Sequence, residues 1–268
     1  ERRKAADGFP VTFQEKADVR ETSYGGVDCF TCEPPGAAQG TLVHFHGGGY
    51  RLGSARFAAG FGSRLAVASG FRVVCAGYRL APEHPYPAGL RDGVAAYSDV
   101  IDRHGPSVLA GDSAGGGLAV AVALAAPAEL RPTGLLLISP WLDMTLSATT
   151  FDSNADTDQM ISHLGLCEGA EMYLQGHGLR DPLVSPLHAT DEQLATLPQL
   201  QLFASAHEAL LGDALAFADR LARVGTAVEA HFVPDVPHVW PTILPDLPQS
   251  AAALDTMARF LTSAIQPK

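Results

Sequence analysis

Cations are scarce in this 268-residue chain: 18 Lys and Arg stand against 29 Asp and Glu, a formal net charge of −11. Nucleic-acid backbones are gripped by clustered cations, so this balance excludes DNA or RNA as a partner. Long apolar runs are also missing. The longest, Leu118 to Ala126, is stopped by Pro127 well short of a bilayer's thickness, so no membrane span is expected. Glu1 to Gly8 lack the apolar core of a secretory leader, and the expected location is cytoplasmic. Cysteines number four, and the Cys29-x-x-Cys32 spacing has no second pair to complete a zinc set. The surrounding Val27 to Glu33 reads as a strand, where positions three apart face opposite ways. Reduced thiols are the expectation, and no ligand cluster or cofactor motif calls for a metal or an organic cofactor.

What is present is apolar content of 47% arranged in recurrent strand and helix patterns, enough for one domain over residues 1–268. Val11–Lys16 and Gly26–Glu33 are predicted as an opening antiparallel pair. Further strands are predicted at Thr41–Phe45, Phe71–Ala76, Ser107–Ala110, Thr133–Ser139, Gln199–Ser205 and Ala227–Val233. Helices of suitable length and periodicity fall at Ala55–Ser69, Pro87–Arg103, Ser113–Ala126, Ala209–Val224 and Gln249–Ala264. That alternation implies an α/β fold with a mainly parallel sheet covered on both faces. From Met144 to about Thr196 the alternation breaks off into a polar stretch.

Two motifs carry chemistry. The apolar strand ending at Ala110 runs into Gly111-Asp112-Ser113-Ala114-Gly115 and then a helix, the setting of a nucleophilic serine exposed on a tight turn. Ser113 is the candidate nucleophile. The run His46-Gly47-Gly48-Gly49 follows another strand, where glycines let backbone N–H groups turn toward an anion. Attack on an ester carbonyl creates such an anion, so Gly48 and Gly49 are candidate oxyanion-hole donors. Ala114, at a helix start with free N–H groups and the positive end of the dipole, is the third. Tyr50 beside the glycines is a candidate pocket-lining residue. Asp112 either polarises the substrate site or makes local hydrogen bonds. Tyr78, Arg79 and Glu83 read as packing and loop-fixing residues, and Trp141 and Trp240 as core or pocket walls.

His46-Gly47-Gly48-Gly49, Tyr78 to Glu83, Gly111 to Gly116, Asp181 to Pro186 and Pro237 to Trp240 occur in the order of the hormone-sensitive lipase family of bacterial esterases, which the chain resembles from about Val11 to about Phe260. The resemblance implies an eight-stranded α/β-hydrolase fold and a carboxylesterase acting on small short- to medium-chain esters. It also implies a cap insertion at about 144–196, and, given the early start of the first strand, a reduced cap. A homodimer is the candidate assembly. Triad order Ser, acid, His removes His44, His46, His84 and His104. His238, on the proline-bounded loop after the last strand, is the candidate base, with His207 as competitor. In the acid's place this chain has Glu208-Ala209-Leu210; Asp213, deeper in the next helix, stays open as the alternative. An amidase, formamidase or acyltransferase could use the same groups, and a non-catalytic small-molecule receptor could share the fold.

Overall fold

A computed structural model describes residues 10–265. The leader reading of Glu1 to Gly8, and the outer limits of the 1–268 domain, lie outside the described residues. Eight strands, β1 (Asp18–Tyr24), β2 (Val27–Glu33), β3 (Thr41–Phe45), β4 (Arg72–Ala76), β5 (Val108–Asp112), β6 (Leu135–Ile138), β7 (Leu200–Ser205) and β8 (Val228–Val233), form one sheet in the order β1-β2-β4-β3-β5-β6-β7-β8. The first two pairings are antiparallel and the rest parallel. Nine helices are described: α1 (Ala55–Ser69), α2 (Ala88–His104), α3 (Ala114–Ala125), α4 (Thr150–Ser153), α5 (His163–Leu174), α6 (Asp191–Leu194), α7 (Leu211–Arg223), α8 (Trp240–Ile243) and α9 (Pro248–Ala264). None is long and apolar enough to cross a membrane among the described residues.

The opening strand lies elsewhere than expected. Val11–Lys16 is irregular: Gln14 N–H bonds to Ser63 Oγ of α1 at 2.9 Å, and Ala17 N–H turns back to Gln14 O. The partner of β2 is Asp18–Tyr24, and Tyr24 sits opposite Val27 across Gly25 and Gly26, with φ of 59° and 78°. A two-residue hairpin closed by a type I′ turn needs positive φ at both central positions, which glycine supplies without strain.

Elsewhere local chemistry sets the ends. Helix α1 starts where Ser54 Oγ accepts the Phe57 N–H and stops at Gly70, whose left-handed backbone sends its N–H to Ala66 O. The core has two layers, one on each face of the sheet. Val43, Phe45, Leu109 and Leu137 pack on one side with α3, while Leu42, Val73, Ala110 and Leu136 pack on the other with α1 and α9. Cys29 and Cys32 fall in opposite layers, as alternation along β2 requires. Helix α3 buries Ala114 through Ala123 without a polar face, so it is a central helix rather than a surface one.

The join between β5 and α3 is held by absent side chains. A Cβ on Gly111 would strike the Gly115 carbonyl, and one on Gly115 would strike the Phe45 carbonyl at the end of β3. Gly115→Ala is therefore expected to lower stability by about 1–3 kcal/mol through overpacking. For a chain of this size each kcal/mol shifts the thermal midpoint by about 2–4 °C. A thermal unfolding midpoint equal to the parent's would contradict this close approach.

Candidate active site

Strand β5 delivers Ser113 to the turn with φ 53° and ψ −122°, a conformation costly for any residue with a Cβ. Hydrogen bonds fix that turn on both sides. Ser113 N–H donates to Ile138 O at 2.9 Å, and Ser113 O accepts from Trp141 N–H at 2.9 Å and Gly116 N–H at 3.0 Å. Ala114 opens α3, so its N–H has no carbonyl of the helix to meet.

The glycine loop is fastened to the same turn. Asp112 Oδ2 accepts the Gly47 N–H at 3.0 Å, and Asp112 Oδ1 lies 2.8 Å from His44 Nε2. Tyr78 Oη donates to His46 O at 2.7 Å, and the Tyr78 ring stacks on the His46 ring with centroids 4.5 Å apart. Gly48 and Gly49 have φ of 114° and 61°, and Gly48 O accepts from Arg51 and Leu52 N–H, closing the loop into a tight turn. Gly48, Gly49 and Ser113 face one cleft of about 480 Å³.

His238 faces that cleft too, from the loop after β8. Its Nδ1 lies 3.2 Å from Glu208 Oε2, beyond the end of β7, and the Glu208 residue is 1% exposed. With Nδ1–H donating to the carboxylate, Nε2 carries the lone pair. That atom is buried and has no hydrogen-bond partner among the described residues. Phe57, Phe61, Leu166, Val239 and Ile243 give the cleft a mostly apolar wall.

Residues 42–242 match the family described as the alpha/beta hydrolase fold. An acetyl-hydrolase of Streptomyces hygroscopicus is 36% identical over 229 residues, covering 84% of this chain and 76% of its own. The carboxylesterase NlhH of Mycobacterium tuberculosis is 31% identical over 223 residues, covering 79% and 70%. A solved hormone-sensitive lipase from a metagenome library superposes with a TM-score of 0.91 at 34% identity, over 98% of this chain and 90% of that one. The chain belongs to the hormone-sensitive-lipase-type carboxylesterases of the α/β-hydrolase fold.

Two of the sequence-predicted residues sit differently in this esterase. Tyr50 was expected to line the pocket, yet it is 2% exposed, absent from the cleft wall, and stacked on Tyr173 of α5 at 3.9 Å. Its backbone φ of 59° accompanies this inward placement, behind the glycine loop. Burial pushes its hydroxyl pKa well above the ordinary value. Asp112 does border the cleft, but both carboxylate oxygens are taken up by His44 and Gly47.

The competing candidates are turned to other tasks. Asp213 Oδ2 accepts the Leu142 and Asp143 N–H groups, both at 2.9 Å, and so braces the chain leaving β6. His207 is half exposed and lies 3.7 Å from Asp235. Ser139, which the motifs did not single out, donates its hydroxyl to Glu208 Oε2 at 2.7 Å and accepts the Val239 N–H at 3.1 Å. One hydroxyl thus ties the carboxylate to the residue after His238. The available signal was position: a small polar residue at the carboxyl end of a parallel strand, where α/β sheets gather their sites.

Burial, then the nearby Asp143 and Glu208 charges, raise the Asp213 pKa to about 7, against the two N–H donors that lower it. An acid whose pKa is raised by folding holds its proton longer in the folded state, so stability falls as pH rises from about 4 toward 7. Asp213→Asn, which keeps a carbonyl for the two N–H groups, is expected to flatten that loss while keeping most of the turnover. Unfolding curves collected across this pH range check it; an unchanged slope would be the contrary result.

Proposed function

We propose that the esterase hydrolyses small short- to medium-chain acyl esters through a Ser113–His238–Glu208 triad and an acyl-enzyme. The observation that carries the reading is the buried Glu208 carboxylate against His238 Nδ1, with His238 Nε2 left unpartnered at the cleft that Ser113 borders. His238 Nε2 takes the Ser113 proton as Oγ attacks the ester carbonyl, and Glu208 steadies the imidazolium that forms. The carbonyl oxygen, now negative, is held by the N–H groups of Gly48, Gly49 and Ala114; one such donor is worth about 100- to 1000-fold in rate. The tetrahedral species collapses, His238 returns its proton to the departing alcohol, and Ser113 is left acylated. Water then attacks the acyl carbon while giving its proton to His238, and the acid leaves as Ser113 recovers its hydrogen.

The short-chain preference draws on the acetyl-hydrolase relative and on a cleft of limited size with apolar walls. One catalytic domain, with residues 144–196 as a cap over the cleft, fits the lining supplied by Met160, Ile161 and Leu166. Four free cysteines fit a cytoplasmic setting. A homodimer is the assembly we infer from the family, to be tested by light scattering, where a monomeric mass at working concentrations would refute it.

Hydrolysis of p-nitrophenyl esters from acetate to palmitate, with matched amides alongside, tests the activity. Ser113→Ala should abolish a rate that peaks at short chains. Glu208→Gln should lower kcat on the order of 10⁴-fold, the size seen when the triad acid of a serine protease becomes an amide. A faster amide than ester reaction, or near-normal turnover by Glu208→Gln, would overturn the respective part of this reading.

A further inference from the structure

The polar stretch between β6 and α5 grips the loop that carries Glu208. Thr157 Oγ1 donates to His207 O at 3.0 Å, and Asn154 Nδ2 donates to Glu208 O at 2.9 Å. Asp158 Oδ2 accepts the Ala209 N–H at 2.8 Å, and Thr150 Oγ1 donates to Ala209 O at 2.7 Å. Side chains from a stretch of nine residues, 150–158, therefore hold backbone groups of all three residues of the loop from His207 to Ala209.

Asp158 reaches in two directions. While Oδ2 holds Ala209, Oδ1 accepts the N–H groups of Met160 and Ile161, both at 2.9 Å. Met160 and Ile161 belong to the wall of the cleft. One carboxylate is thus the shared anchor of the wall that substrate touches and of the loop that presents Glu208. We propose that Asp158 is a positioning residue that couples the substrate wall to the triad acid, a step that rests on the assignment of Glu208 made above.

The chemistry of a carboxylate suits this task. Its two oxygens offer about four lone-pair sites and no donor, so three converging N–H groups are all accommodated. Hydrogen bonds to an ionised acceptor are roughly twice as strong as neutral ones. Asparagine keeps the shape but turns one oxygen into a donor, so it must release either the wall or the acid loop. Displacing a catalytic group by about 1 Å can cost on the order of 100-fold, so even a small shift of the loop registers in the rate.

A double-mutant cycle separates coupling from general loosening. Asp158→Asn is expected to lower kcat by about tenfold in the parent but by less than about twofold in Glu208→Gln, where a carboxylate is no longer there to be misplaced. KM should rise more for hexanoate than for acetate, because the longer acyl chain meets more of the wall. An equal loss of kcat in both backgrounds, or none in either, would overturn the coupling. Near-normal Glu208→Gln turnover would instead defeat the triad assignment, so the two failures are distinguishable. Should circular dichroism show Asp158→Asn unfolded, Asn154→Ala, which deletes the bond to Glu208 O along with an exposed one from Ser153, is read by the same kcat criteria.

Discussion

The site depends on how closely the end of β5, the start of α3 and the end of β3 approach one another. Gly111, Gly115 and Gly47 are the points of contact, and at each a Cβ would run into backbone or into the Asp112–Ser113 turn. This approach brings the glycine loop beside the nucleophile turn, and the Asp112 carboxylate locks the two together through Gly47 N–H. That bond and the close approach of the glycines together give the glycine loop and the Ser113 turn a common frame. Catalytic donors are useful only when fixed in advance, since reorganising them during reaction would consume the stabilisation they give.

Strain is concentrated in the same place. Tyr50, Ser113, Ser139 and Val239 all have positive φ, and they belong in turn to the glycine loop, the nucleophile turn, the Glu208 brace and the His238 loop. Each such residue costs about 1–3 kcal/mol. Together that approaches the net stability of an ordinary domain, so the surrounding packing must over-determine each position. The fully buried Trp141 and Trp240 and the apolar α3 supply such packing. The four loops thus share one rigid support, the parallel sheet, at the ends of whose strands they lie.

Legibility in the sequence followed the range of the interactions. The span of α1 could be read to the residue because its limits are local: a serine cap before it and a left-handed glycine after it. Ser113, His238 and Glu208 became candidates because motif, chain order and the family resemblance narrow the choice, and Gly48 and Gly49 because glycine runs after strands are informative. The first strand was misplaced because β1 is largely exposed and polar, which leaves no apolar alternation to detect. The Gly25-Gly26 turn was the overlooked cue. Ser139 and Asp158 escaped notice for a different reason. Their partners at Glu208 and Ala209 lie 69 and 51 residues away, and no local pattern records such a bond.

Three buried carboxylates crowd the region behind His238, and their differing partners divide the labour. Asp143 is surrounded by donors, and although burial pushes its pKa up, hydrogen bonds from Thr145, His188 and Ser147 outweigh burial and lower it. Asp213 has two backbone donors and the repulsion of two neighbours, so it is the carboxyl that retains a proton toward neutrality. A proton held there removes one negative charge from the surroundings of Glu208. The brace of the Leu142–Asp143 backbone and part of the electrostatic setting of the proposed triad acid are therefore supplied by the same residue, while Asp158 holds the Ala209 N–H next to that acid.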